Sequence, residues 1–512
     1  MKHLSGLDAS FLHLETPEMP MHVGALHLLD LPADAHGDFV DTIRRHIAAR
    51  MHLAGVFTLK LAFMPLDIAN PVWVEDDDVD LDYHIRHVIL PAPGTVRQLE
   101  ACIGRLHASL LDRSRPLWEF YVFTGLASGQ VGFYTKIHHA ALDGQGATVL
   151  AQALLDVTSV PRRVAPPTEH ERAPYQLPVS SMLKAALRDT LIQTLRLVRG
   201  VPTGVRAAAA VLAPASAVDG KRHLTWPRLG TRAPRTPMNV SITNQRAFAT
   251  ATIELKPALG VGKAFGATLN DVVLCIVSGA LRRYLDQHGA LPEQPLVAAV
   301  PVSLRREGDQ RINNQVSMML VPLATDDDDV ADRMAAIVRA SASMKKTVSN
   351  LKSVLPTEFP SIGLPWVMSA LASLYGRAGL AESLPPVANL VVSNIPGPPM
   401  PMYLAGARMR TNFPVSIVTH GMALNVTVQS YDGALYFGIV ACRRAMPDID
   451  LFVACMDAAH QELLAAAQAI GVPAAPKKRA PRKSTRKAEA PMVHKVPAKP
   501  ALKRRARVAE VA

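Results

Sequence analysis

The chain has 512 residues, 49 % hydrophobic and 19 % charged, with four cysteines and a net charge of +12. That length and apolar content exceed the needs of one small core and exclude wholesale disorder, and four cysteines in so long a chain exclude a disulfide framework. The 13 basic and two acidic residues from Lys477 onward carry +11 of the charge, so the body is nearly neutral and its electrostatics do not suit a basic nucleic-acid-binding fold.

Asp8 and Glu15 interrupt the apolar residues at the start, so no secretory signal is expected there. Residues 1–160 mix short apolar strands with helical stretches, the pattern of an α/β lobe. Leu99, Ile103, Leu106 and Leu110 recur at helical spacing, which predicts a helix over 99–111. Residues 131–139 alternate with period two and predict a strand, and a helix follows over 147–157. Prolines punctuate both ends of 161–236, which reads as a crossover linker. Inside it, 181–197 is amphipathic, either a helix packed on the core or an interfacial helix touching lipid.

Residues 237–470 carry a second α/β pattern. Buried strands are expected over 296–302, 316–323, 390–393 and 435–440, and a closing helix over 451–467. The uncharged stretch 411–431 is long enough to span a membrane, but Pro414, His420, Asn425 and Gln429 interrupt it and it alternates like strands. Asp326 to Asp329 reads as a solvated loop or helix start, since it lacks the glycine and glutamate of a calcium loop. The tail 471–512 is rich in Ala, Pro, Lys and Arg and cannot bury enough apolar area to order itself. Cys102, Cys275, Cys442 and Cys455 stand in no metal-like spacing and read as free thiols in a reducing compartment; no metal site is expected.

The sharpest feature is His138-His139-Ala-Ala-Leu-Asp143-Gly144 at the end of the predicted strand. Alternation puts the two histidines on opposite faces, so they cannot share one role. His139 ends the strand, where a side chain can reach into a cleft. An alcohol hydroxyl attacks a thioester slowly, and a neutral imidazole can take its proton as the bond forms. No serine or cysteine nucleophile stands in a recognisable motif. His138 and Asp143 read as mainly structural, Asp143 bracing the turn by pairing with an arginine, and Gly144 frees the backbone beside the cleft.

This motif resembles the signature of the superfamily of chloramphenicol acetyltransferase, plant alcohol acyltransferases and peptide-synthetase condensation domains. Leu4 to Leu12, Pro20 to Gly24, Pro71 to Asp78, Asp82 to Arg86, Pro116-Leu117-Trp118, Asn270-Asp271, Val300 to Arg305 and Val392 to Gly397 narrow the resemblance to bacterial wax ester synthase/diacylglycerol acyltransferases, over residues 4–465. The plant-type Asp-Phe-Gly-Trp-Gly motif is absent. The resemblance implies two chloramphenicol acetyltransferase-like lobes with mixed sheets and an active-site tunnel at their interface. It implies direct transfer from acyl-coenzyme A (acyl-CoA), a substrate and not a cofactor, to diacylglycerol or a long-chain alcohol. Asn270, with Asp271 beside it, would lie near the reaction centre, and Pro116, Leu117 and Trp118 would shape the acyl pocket. Read as bare residues, Asn270 and Asp271 are also good helix caps, Trp118 is a core residue, and His22, His84 and His420 are packing or surface residues.

The expected placement is cytoplasmic, with the basic tail holding the enzyme at an anionic membrane or lipid-droplet surface. Two other readings stand beside the first: an acyltransferase or condensation enzyme of the same fold acting on a polar or peptidyl acceptor, and a protein that binds anionic polymers or granules through its tail.

Overall fold

The computed structural model describes residues 2–4, 6–32, 37–63, 70–142, 146–166, 233–303, 316–351, 376 and 379–471. The amphipathic stretch 181–197, Asp143, Gly144 and the tail lie outside the described residues.

The expected α/β architecture with mixed sheets is present. The first sheet runs Ile85–Ile89, Trp118–Thr124, Val131–His138, His22–Asp30, Ala407–Met409, Tyr403–Leu404, Leu155–Asp156, and Phe413–Val415 also pairs with His22–Asp30. The second runs Val316–Pro322, Val297–Ser303, Leu390–Ile395, Leu424–Tyr431, Ala434–Cys442, Arg246–Glu254, with parallel pairings only around Leu390–Ile395. A small sheet joins Lys2–His3, Val72–Glu75 and Leu59–Ala62. Each element expected from periodicity within the described residues is found with shifted ends, among them the helices Val96–His107, Gly146–Leu154 and Ile449–Gly471.

Strand Val131–His138 is buried on both faces, because it is central in its sheet. The face carrying Phe133 and Ile137 belongs to the core. The other face buries Lys136, whose ammonium is 3.4 Å from Glu119. A buried lysine without that carboxylate would be strongly destabilising.

The two halves of the sequence exchange elements. Residues 403–415, from the second half, complete the first sheet. In return, helix Val96–His107 of the first half covers strand Arg246–Glu254, the edge of the second sheet. Thr95 and Gln98 close a capping box at the helix start. Glu100, one turn on, accepts from the Thr250 amide at 2.8 Å and from its hydroxyl at 2.6 Å. The helix therefore covers an otherwise open edge and satisfies one of its donors. Gly104 makes this approach possible, since a Cβ there would stand 2.8 Å from the Arg246 carbonyl oxygen.

Gly104→Ala is expected to lower stability by about 1–3 kcal/mol, read as a lower urea midpoint. Gly260→Ala is the control, since it lies in helix Leu255–Phe265 with nothing within 4 Å of its Cβ. It should be neutral or stabilising by up to about 1 kcal/mol. Equal losses in both would contradict the edge-cover argument.

Candidate active site

Strand Val131–His138 ends at His138, and His139–Ala141 forms a single 3-10 turn. Several groups hold that turn. The His138 amide donates to the Leu117 carbonyl at 3.0 Å, and the His139 amide donates to the Met21 carbonyl at 2.8 Å. Helix Gly6–Leu14 packs against it.

His138 is fully buried. Its Nδ1 accepts from the Ala140 amide at 3.1 Å, so the proton is on Nε2, which donates to Glu15 Oε2 at 3.0 Å. The same Glu15 oxygen accepts from the Met21 amide at 3.1 Å. The other, Oε1, accepts from Arg113 Nη2 at 2.9 Å and Nε at 3.3 Å. Arg113 Nη2 also donates to the Leu12 carbonyl at 2.9 Å. Burial would raise the Glu15 carboxyl, but the His138 hydrogen bond, the Arg113 charge and the Met21 amide outweigh it and hold it at about 2. Glu15 is thus a permanent anion that binds three chain segments at one point.

His139 is placed differently. Its ring stacks on Phe11, with centroids 3.9 Å apart and planes 16° from parallel. Neither ring nitrogen hydrogen-bonds to another residue among the described residues, and Nδ1 is buried. Burial pushes the imidazole down to about 4; His138 adds to this, and the ring's own backbone carbonyl opposes it only in part. The ring is therefore neutral at physiological pH. It is a proton acceptor whose nitrogens are engaged by no other side chain among the described residues.

The other candidates are more dispersed. Leu117 is fully buried in a small cluster with Leu4, Ala9, Leu12 and Ala140, directly under the turn. Pro116 is buried beside it. Trp118 is a core residue, its indole donating to the Phe57 carbonyl at 3.1 Å and its ring stacked 4.3 Å from His84. Asp271 caps helix Leu269–Gln287, accepting from the Thr268 amide at 2.9 Å and hydroxyl at 2.6 Å. Asn270 is half-buried and its side chain has no hydrogen bond among the described residues, to the histidine turn or elsewhere. His22, His84 and His420 are buried and hydrogen-bonded to backbone groups of His107, Trp118 and Ile242. Asp329 caps helix Val330–Leu351 through the amides of Ala331 and Asp332. The cysteines are free.

Phe11, Glu15 and Arg113 were not singled out from the sequence. Glu15 read only as a break in an apolar run, and Arg113 lies 98 positions away. No local spacing joins such a pair.

Glu15→Ala is expected to leave His138 and Arg113 unpaired and to lower stability by about 3 kcal/mol, with acyl transfer falling further than the folded fraction. The buried histidines also set a pH dependence. Burial lowers His22 well below its usual range, His107 to about 3 and His139 to about 4. Below pH 6.5 the unfolded chain binds protons that the folded chain refuses, so stability falls as pH drops. His107 and His139 should each remove about 2 kcal/mol by pH 5, seen as a falling urea midpoint between pH 7 and 5. A midpoint flat over that range would contradict their neutral burial.

Known proteins are similar to this chain over most of its length. Residues 4–273 match the wax ester synthase/diacylglycerol acyltransferase catalytic domain, and residues 312–464 match the WS/DGAT C-terminal domain. The chain is 38 % identical over 461 residues to a putative diacylglycerol O-acyltransferase of Mycobacterium tuberculosis, covering 90 % of this chain and 99 % of that one. It is 33 % identical over 462 residues to the O-acyltransferase WSD of Acinetobacter baylyi, covering 87 % of this chain and 93 % of that one. Its fold is similar to the wax ester synthase/diacylglycerol acyltransferase of Marinobacter aquaeolei, with a TM-score of 0.65, 30 % identity and coverage of 91 % and 99 %. The first condensation domain of the CDA synthetase shares the fold alone, at a TM-score of 0.51, 15 % identity and coverage of 90 % and 96 %. The chain belongs to the wax ester synthase/diacylglycerol acyltransferase family.

Proposed function

We propose that the chain moves a long-chain acyl group from acyl-CoA to the hydroxyl of diacylglycerol or of a long-chain alcohol, with His139 as general base. The observation that carries this is the neutral His139 ring, stacked on Phe11, whose nitrogens are engaged by no other side chain among the described residues. The names of the relatives support the substrate classes.

The acceptor hydroxyl gives its proton to the imidazole as its oxygen bonds to the thioester carbonyl carbon. The tetrahedral intermediate then expels the thiolate of coenzyme A, which takes the proton back from the imidazolium. An imidazolium with a pKa of about 4 is a strong acid towards a thiolate, so burial favours this second half. Asn270 is the amide assigned to the carbonyl oxygen, in an oxyanion-stabilising role. Glu15 and His138 fix the turn and touch no reacting atom. Acyl-CoA is consumed as a substrate, and the reading calls for no resident cofactor.

The site of action is the surface of an anionic membrane or lipid inclusion, inside the cytoplasm. No single described helix is long and apolar enough to cross a membrane. The bent pair Leu255–Phe265 and Leu269–Gln287 passes by length and composition, but the second helix is packed in the core. Attachment falls to the tail, which carries +11. Removing residues 472–512 should weaken sedimentation with phosphatidylglycerol vesicles about tenfold and leave transfer to a dispersed acceptor within about twofold. Loss of transfer on trimming would support the tail-binding reading.

The direct test is thiol release from palmitoyl-CoA with diacylglycerol or hexadecanol, wild type beside His139→Ala. Release should depend on an acceptor and fall by at least about a hundredfold in the variant. Release that survives the substitution would contradict the base assignment. Release that needs neither acceptor would mean that water takes the acyl group, and would contradict transfer to either alcohol.

A further inference from the structure

A pocket of about 680 Å³ opens where the C-terminal end of helix Val96–His107 meets the start of strand Arg246–Glu254. Its wall carries Arg105, Arg246 and Arg443, the amides Asn244 and Gln245, and no carboxylate. Arg105 and Arg443 are exposed and make no ion pair among the described residues.

Arg246 is the unusual member. It is 7 % exposed, and its guanidinium donates to backbone carbonyls alone: Glu18 at 2.6 Å, Gln245 at 3.4 Å, and Thr243. The other buried arginines among the described residues each have a carboxylate, Arg50 with Asp156 at 3.1 Å and Arg333 with Glu462 at 3.1 Å. Burial pushes Arg246 down to about 10, so it stays charged, and the titratable neighbour that acts on it is the Cys442 thiol. A buried cation without an anion is costly, and an arriving anion removes that cost. Planar guanidinium groups, one buried and two at the rim, match a ligand with several phosphate groups.

The pocket also lies close to the histidine turn. Arg246 holds the Glu18 carbonyl, and three residues on, the Met21 carbonyl holds the His139 amide. Glu18 and Met21 are at most about 11 Å apart along the chain. An anion at Arg246 is therefore one short strap from His139, as the phosphates of a long-armed thioester are from its reacting carbonyl.

We propose that Arg105, Arg246 and Arg443 bind the phosphate groups at the nucleotide end of the acyl-CoA donor. This rests on the acyl-CoA reading above. A phospholipid headgroup offers the same phosphate chemistry, and the test separates the two.

The variant is Arg105→Ala/Arg443→Ala in the full chain, which leaves the buried Arg246 in place and alters exposed side chains only. Three measurements are made: calorimetric binding of CoA itself, steady-state kinetics with palmitoyl-CoA and with palmitoyl-pantetheine, and sedimentation with phosphatidylglycerol vesicles. The expected result is CoA binding weaker by at least about tenfold and the same rise in KM for palmitoyl-CoA, with kcat unchanged. Kinetics with palmitoyl-pantetheine, which has the thioester but no nucleotide phosphates, should not move. Unchanged CoA binding overturns the assignment, and so does an equal loss with palmitoyl-pantetheine. Lost vesicle binding with CoA binding intact gives the pocket to a lipid headgroup and also overturns it. CoA binding needs no turnover: a wild type that binds CoA through these arginines yet esterifies neither acceptor defeats the acyl-transfer reading and leaves the site standing.

Discussion

The Glu15 carboxylate is the fixed point of this site. It accepts from His138, from Arg113 and from the Met21 amide, and each of these belongs to a different stretch of chain. With both nitrogens of His138 committed, one to Glu15 and one to the Ala140 amide, that ring cannot also serve as a base. The division of labour between adjacent histidines follows. One is locked so that the other, held at its backbone by Met21 and at its ring by Phe11, keeps its nitrogens clear of other side chains among the described residues. The neutral state of His139 is a consequence of the same packing, since helix Gly6–Leu14 brings both Phe11 and the Glu15 end to the turn.

A second constraint operates at larger scale. The first sheet is incomplete without residues 403–415, and the edge of the second sheet is covered by helix Val96–His107. Glu100 and Gly104 make that cover close and hydrogen-bonded. The three-arginine pocket stands at the end of this seam, and Arg246 ties the seam to the strap that holds His139. The proposed donor pocket and the proposed base are therefore joined by one short piece of backbone.

Much of this was legible in the sequence, for reasons that differ by element. Strand Val131–His138 and helix Ile449–Gly471 were legible because their apolar residues repeat with a clear period. The histidine motif was legible because its residues are adjacent, and a different placement for His138 and His139 was expected from alternation, although the structure places His139 in the 3-10 turn beyond the strand end. Asp271 was readable both as a cap and as a site residue, and its side chain is engaged in the cap. The Glu15–Arg113 pair was not legible, because the attraction between residues 98 apart leaves no spacing to find. The exchange of 403–415 into the first sheet was invisible for the same reason: the strands are short, and their partners are set by topology rather than by pattern.

The proposed role of a buried, neutral His139 as the base for acyl transfer has a direct signature. The pH dependence of kcat/KM for acyl transfer tests it most directly, measured over the range in which the protein stays folded. With His139 as the base, the rate stays flat from pH 8 to about 5 and bends only as the His139 value of about 4 is approached. An acid limb at the ordinary histidine value, near 6.5, would mean that the working base is solvated, and would contradict a buried His139 as the base.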